Sequence, residues 1–242
     1  QSEYQGTFEN GPQQGQTVTL RIEKPIEAVN YPVKNIKTTN LDLPELKHDI
    51  NFLSIAQMSP RKNIGNLLHW FIQEFHDDEV GLVLKTNRSK NCHMDRVSSK
   101  ITLETVSKMY PDKKCSLYLL HGDMTDEELH SLYNHDKIKA FVSIPHGEGF
   151  GLPFFEAAYM GLPVIAPGWS GQNDFLFNKD KEQFYNVSFD MRPVQQEAVW
   201  DKVILKDSMW CFPREQSTKE QLRLCYNDIV NNTGHVKNTK KY

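Results

Sequence analysis

The sequence predicts an α/β fold in which a parallel sheet is doubly wound, with helices on both faces. Three observations carry this. From Ile50 onward, short apolar runs alternate with longer helical stretches along the 242-residue chain, the order that joins parallel strands through crossover helices. One strand, turn, helix and strand unit is explicit between Lys139 and Ala166. Capping residues mark helix ends around it.

Taken in order, residues 1–15 (QSEYQGTFENGPQQG) are polar and rich in glycine and glutamine, which suits a linker or an exposed edge rather than a core. Thr17 to Ile22 alternate polar and apolar, and Ala28 to Val33 contains a proline, so both read as short extended pieces at an edge. Strands follow at 51–56, 81–86, 115–120, 139–144, 163–166 and 183–189, with helices at 62–76, 98–109, 126–135, 152–160, 171–177 and 216–231. Thr125-Asp-Glu-Glu128 is a capping box, and Leu129, Leu132 and Tyr133 form the buried face of the helix behind it. Lys139 to Ile144 is a buried strand ended by Pro145-His146-Gly147. Leu152-Pro153 suits a first helical turn, where proline loses nothing by lacking an N–H. Gly161 is placed to end that helix, and the strand Pro163 to Ala166 leads into the loop Gly168-Trp-Ser-Gly171. The chain carries no internal repeat.

Composition bounds the function. With 38% hydrophobic and 24% charged residues the chain is of ordinary globular make-up. A net charge of -3 without a basic stripe argues against nucleic-acid binding. No apolar run approaches the ~20 residues that cross a bilayer, and no signal peptide is visible. Cys92, Cys115, Cys211 and Cys225 lack C-x-x-C spacing, and Cys115 and Cys225 sit among apolar residues as buried thiols do, so a reduced, cytoplasmic setting is expected.

The chemistry concentrates in His146-Gly-Glu-Gly-Phe-Gly-Leu-Pro-Phe-Phe-Glu156, which joins a glycine-rich turn to a helix start and holds two glutamates with seven residues between them. The peptide N–H groups of Gly149, Phe150, Gly151 and Leu152 would face an anion such as a diphosphate, favoured there by the helix dipole. Glu148 and Glu156 would accept hydrogen bonds from neutral sugar hydroxyls. A nucleotide-sugar offers both chemistries. A plain strand-to-helix turn with solvated glutamates is the alternative that the turn by itself leaves open.

This stretch closely resembles the donor-binding domain of the retaining glycosyltransferases of family 4, where the Glu-x7-Glu signature falls on Glu148 and Glu156. A second segment, Asn51-Phe-Leu-Ser-Ile-Ala-Gln-Met-Ser-Pro-Arg-Lys-Asn63, resembles that domain's first strand and basic loop. The resemblance covers residues 45–235. It implies a Rossmann-like sheet forming the C-terminal half of a GT-B fold. Residues 1–45 would then be the end of an N-terminal domain with its linker, 46–208 the sugar-donor domain, and 209–242 a helix and tail folding back toward that N-terminal domain.

Many members carry Gly-Arg where this chain has Ala56-Gln57, so the resemblance moves the phosphate-neutralising charge to Lys62 first and Arg61 second. It also implies that Glu148 faces the sugar or its phosphate junction, that Glu156 accepts from the ribose, and that Met124 lies along the nucleobase with support from Leu129. The loops bearing Lys62, His121 to Met124, Glu148 and Ser170 are expected to converge outside the carboxyl ends of the strands. No metal is implied, and the chain has no Asp-x-Asp triplet. The substrate would be a nucleoside-diphosphate sugar of UDP or GDP type, and the acceptor a glycan, lipid-linked sugar or protein. Acceptor binding would fall to a missing N-terminal GT-B domain, leaving this stretch weak or inactive by itself. The whole enzyme would be cytoplasmic, or peripheral to a membrane. His146 reads as a hydrogen-bonded loop residue sooner than a catalyst, Trp169 and Phe150 as packing at the cleft rim, and Asp174 as an exposed helix-start carboxylate. A nucleotide-sugar epimerase or phosphorylase on the same fold, and a non-catalytic nucleotide-sugar-binding module, are the rival readings.

Overall fold

The computed structural model describes residues 2–7, 17–22, 36–178 and 181–233. The chain divides into two compact units, residues 1–35 with 193–209, and residues 36–192 with 210–242. In the first unit β1 (Ser2–Thr7) and β2 (Thr17–Ile22) pair antiparallel from Ser2↔Ile22 to Thr7↔Thr17. The polar opening residues Ser2 to Thr7 are thus strand, while the extended piece expected at 28–33 lies outside the described residues.

The second unit holds the sheet. In chain order it contains β3 (Asn51–Ile55), α1 (Ile64–Glu74), β4 (Gly81–Lys85), α2 (His93–Lys108), β5 (Ser116–Leu120), α3 (Asp126–Tyr133), β6 (Ile138–Val142), α4 (Leu152–Tyr159), β7 (Val164–Pro167) and α5 (Asn173–Leu176). After the short pair β8 (Phe177–Asn178) and β9 (Lys181–Glu182) come β10 (Tyr185–Val187), β11 (Phe189–Pro193), β12 (Met209–Pro213) and α6 (Glu215–Asn231). The expected strands and helices stand within a few residues of these bounds, except that α2 starts at His93 rather than residue 98. Its first turn (HMDR) lacks the apolar spacing that marks a helix in sequence. Asp95 holds it instead, turning back to accept from the backbone N–H groups of Arg88 (2.9 Å), Ser89 (2.8 Å) and Lys90 (2.9 Å).

Six parallel strands lie in the order β10-β7-β6-β3-β4-β5. From β3 the chain builds outward through β4 to β5, then returns to lay β6 against the other side of β3 and continues through β7 to β10. Strand order therefore reverses between β3 and β6, and the loops after these two strands leave the sheet side by side. In open sheets ligands bind at that reversal, outside the carboxyl ends of the strands.

Alternation along the strands sends successive side chains to opposite faces. Phe52, Leu82, Leu84, Ala140 and Val142 join Leu67, Leu68, Phe71 and Ile72 of α1 and Leu222 and Cys225 of α6 in one buried cluster. Leu53, Val83 and Phe141 join Leu132 and Tyr133 of α3 and Phe154, Ala157 and Ala158 of α4 in the other. Each fully buried leucine or phenylalanine contributes about 1.5–3 kcal/mol, so the two layers lock the sheet between helices. Arg223 ties α6 to α1 through Glu74 (2.6 Å) and Asp78 (2.8 Å) while lying over the Phe75 ring at 4.7 Å. Burial pushes the Cys115 thiol up to about 11 and the Cys211 thiol to about 12, which keeps both protonated. No helix among the described residues is long and apolar enough to cross a membrane.

Candidate functional site

The loop after β3 is shaped by Pro60–Lys62, a single 3-10 turn opened by proline, and by Asn63 in the left-handed region (φ 55°). Asn63 can hold that conformation because its buried side chain donates to the Ile144 carbonyl at 3.1 Å, across the reversal point. The His146 N–H donates to the Arg61 carbonyl at 2.8 Å. These two bonds fix the basic loop against the glycine-rich loop after β6.

The contact they produce is a carboxylate between two cations. Lys62 Nζ donates to Glu148 Oε1, and Arg61 Nη1 donates to Glu148 Oε2 at 3.0 Å and also to the Gly147 carbonyl. The Glu148 side chain is 9% exposed and that of Lys62 13%, while Arg61 remains 38% exposed. Ser170, itself at φ 77°, holds the Glu148 backbone from the far side. Its hydroxyl donates to the Glu148 carbonyl and accepts from the Glu148 N–H at 3.2 Å, and the Gly171 N–H adds a 3.2 Å bond to that carbonyl. Arg61, Lys62, Glu148 and Ser170 thus meet at one place.

Beyond Glu148 the backbone is open. A side chain at Gly149 would meet nothing within 4 Å, which leaves room for a ligand to approach the main chain. Gly151 caps α4 at φ 87°, Leu152 and Pro153 form the first turn, and Phe150 packs on Phe155 and Phe175 at ring distances of 5.5 and 5.2 Å. At the other end Gly161 (φ 81°) takes the left-handed position just past the helix, with its N–H on Ala158 O (2.9 Å) and the Leu162 N–H on Ala157 O (3.0 Å). Glu156, in the second turn of α4, accepts from the hydroxyl of buried Tyr133 at 2.9 Å. Burial, reinforced by the Glu156 charge, holds the Tyr133 phenol well above its ordinary range.

Met124 sits farther along the strand ends. It packs with Leu129 and Phe150 against the cluster on that face. Its loop is fixed from β4 and α2: Lys85 Nζ donates to the Gly122 carbonyl, Asn91 Nδ2 donates to Asp123 Oδ2 at 2.8 Å, and His121 Nε2 lies 2.9 Å from buried Asp95 Oδ1. Burial depresses the Lys85 ammonium despite the Asp123 charge nearby. Lys85 was missed in sequence because a lysine at the end of an apolar run reads as a strand's solvated edge. The Thr125 capping box forms as expected, with Glu128 N–H to Thr125 Oγ1 at 3.2 Å and the return bond at 2.8 Å.

His146 is 1% exposed. Its Nδ1 lies 2.6 Å from the Cys211 carbonyl, its own carbonyl accepts from the Cys211 N–H at 3.1 Å, and its ring stacks on Trp210 (5.5 Å, 13°) and touches Phe212 (4.3 Å). The expected hydrogen-bonded loop histidine is therefore found, held by β12. Burial lowers its basicity, opposed by the Cys211 carbonyl. Trp169 packs on Phe189 at 5.8 Å, and Asp174 lies exposed in the first turn of α5.

No protein-family model matches the chain. Over 204 residues it is 28% identical to the serotype-specific mannosyltransferase WbdA of Escherichia coli, a match covering 78% of this chain and 22% of that protein. The chain thus spans about a fifth of the length of the curated relatives it matches. Among solved structures it is similar to the C-terminal domain of a glycosyl transferase group 1 family protein (LpcC) from Francisella tularensis, with TM-score 0.51, 17% identity, and coverage of 78% of this chain and 82% of that one. A sucrose-phosphate synthase from Thermosynechococcus elongatus matches with TM-score 0.54 and 17% identity over 82% of this chain and 41% of that one. The Anabaena protein HepE, in complex with UDP and glucose, matches with TM-score 0.52 and 13% identity over 81% and 43%. Together with the six-stranded sheet, these matches give the chain the Rossmann-like parallel α/β fold of the C-terminal domains of GT-B glycosyltransferases.

Proposed function

We propose that the chain is the sugar-donor domain of a glycosyltransferase of family 4 type, which binds a nucleoside-diphosphate sugar and supports transfer of a hexosyl group with retention of configuration. The observation that carries this reading is the meeting of Arg61 and Lys62 with Glu148 at the reversal between β3 and β6. The likeness to a mannosyltransferase and to a neighbour described with UDP and glucose supports the same class of ligand.

Breaking the bond from sugar C1 to phosphate oxygen leaves a nucleoside diphosphate that gains negative charge. Lys62, Arg61 and the peptide N–H groups of Gly149 to Leu152 would supply a preorganised positive field for it, an effect of about 3–4 kcal/mol per well-placed hydrogen-bond donor. Ser170 keeps Glu148 in register with that field, Glu148 faces the sugar, and Glu156 accepts from the ribose. Met124 would lie along the nucleobase, its loop stiffened by Lys85 and Asp95. Acceptor binding is assigned to a further domain, so residues 1–242 by themselves would bind nucleotide weakly and transfer little or no sugar.

A thermal-shift screen of UDP, GDP and ADP and their sugars tests this, since a ligand that binds only the folded state raises the Tm. One base should stabilise above the others, and Glu156→Gln should lose that shift. A flat response to every nucleotide would sink the reading.

A further inference from the structure

Glu148 has an unusual place for a ligand-binding carboxylate, because it already neutralises the two cations that an anionic ligand would need. Lys62 binds one of its oxygens and Arg61 the other. The Glu148 side chain is 9% exposed, and its backbone is held by Ser170 and Gly171, so it cannot swing into water with its loop. A bare diphosphate entering here takes donors away from Glu148 and leaves a buried charge without compensation, the costliest outcome for an ionised group. A ligand that carries hydroxyl groups beside the diphosphate replaces the lost donors with O–H groups.

We propose that Glu148 is a specificity-determining residue that makes this site discriminate against a bare diphosphate and in favour of one bearing an adjoining sugar. The inference rests on the sugar-donor reading above and adds to it a direction: the site holds the intact nucleotide-sugar more tightly than the nucleoside diphosphate left after transfer. Glu148 then acts as an internal competitor that returns to Arg61 and Lys62 when the sugar has gone, and so speeds release of the spent nucleotide.

Calorimetric titrations of the full chain and of Glu148→Gln with inorganic pyrophosphate, UDP, UDP-glucose, GDP and GDP-mannose test it. Glutamine keeps the shape and removes the charge, so pyrophosphate and the better-bound nucleoside diphosphate should tighten at least fivefold, while the matching nucleotide-sugar gains nothing or weakens. The preference of the sugar-bearing ligand over the bare one should fall toward unity. Glu148→Asp, whose shorter carboxylate cannot reach both cations, should fall between the two and serves if the glutamine variant folds poorly. Nucleotide binding with an unchanged preference in both variants overturns the inference and leaves the sugar-donor reading standing. Tightening of pyrophosphate with no nucleotide bound by any of the proteins supports the competition and overturns the sugar-donor reading, and silence toward every probe overturns both.

Discussion

The Tyr133 hydroxyl donates to Glu156 Oε2 at 2.9 Å from a residue that is 1% exposed, so a core side chain of α3 sets the orientation of a carboxylate on α4. Tyr133→Phe keeps the packing and removes only the donor. A loss of about 1 kcal/mol is expected, read as a fall in Tm of roughly 2–4 °C for a chain of this size. Nucleotide affinity should fall with it if Glu156 holds the ribose. An unchanged Tm would show that the hydroxyl contributes nothing net.

The two cations should not be equal. Lys62 is 13% exposed against 38% for Arg61, and an exposed charge is screened by water. Lys62→Met should cost roughly 10–100-fold in nucleoside-diphosphate affinity, the size of a charged hydrogen bond, whereas Arg61→Met should stay within about tenfold. Titration calorimetry that found the reverse order would move the phosphate to Arg61.

His146 couples the site to pH. Its folded-state pKa lies below the ordinary 6.5 because of burial, so between the two values the unfolded chain binds a proton that the folded chain does not. Stability is then fully present above about pH 6.5 and declines as pH falls through that window. Denaturation midpoints measured from pH 7.5 to 5 should show the decline in the natural chain, and His146→Asn, which keeps an N–H able to reach Cys211 O but cannot titrate, should show less of it. His146→Phe keeps the stacking and orphans the Cys211 carbonyl, for a pH-independent cost of about 1–3 kcal/mol.

Gly171 is a matter of space. A Cβ there would lie 2.0 Å from Gly149 O and 2.8 Å from Phe150 Cα, both backbone atoms of the glycine-rich turn. Gly171→Ala must push the two loops apart, at about 1–3 kcal/mol for an overpacked site. Gly149→Ala meets no atom within 4 Å and should leave the Tm unchanged while weakening any ligand that approaches that backbone. Thermal melts of the pair separate the two effects.

Asp95 gives the acid limb of stability. The N–H groups of Arg88 and Lys90, with His121 and Ser89, hold its carboxyl well below the usual carboxylate range. The stabilisation it brings is present above about pH 4 and drains as pH falls toward the folded value. Asp95→Asn should therefore flatten the dependence of the urea midpoint on pH below 4, and a slope unchanged there would count against it.

The alternation of apolar runs made the sheet legible, because buried strands and amphipathic helices each leave a pattern within a dozen residues. Local chemistry was equally readable: Thr125 and Glu128 cap α3, Pro153 opens α4, and Tyr133 lies inside as its spacing implied. The loops of Lys62 and Glu148 were expected to converge, but the direct pairing of Arg61 and Lys62 with Glu148, 87 and 86 positions away, has no local signature. The partner of His146 lies 65 residues on, in a strand whose sequence, MWCFP, says nothing of an imidazole. The start of α2 was hidden because a carboxylate, not an apolar stripe, holds it.

The grip of β12 on His146 bears on where this protein can be cut or grafted. Residues 210–231 lie far from the glycine-rich turn in sequence, yet they belong to its unit, supply the carbonyl that fixes its histidine and dock α6 on α1 through Arg223. A chimera that exchanges the sheet must carry this segment along, because a junction placed before Met209 would leave the imidazole without its acceptor and the loop of Glu148 without its brace.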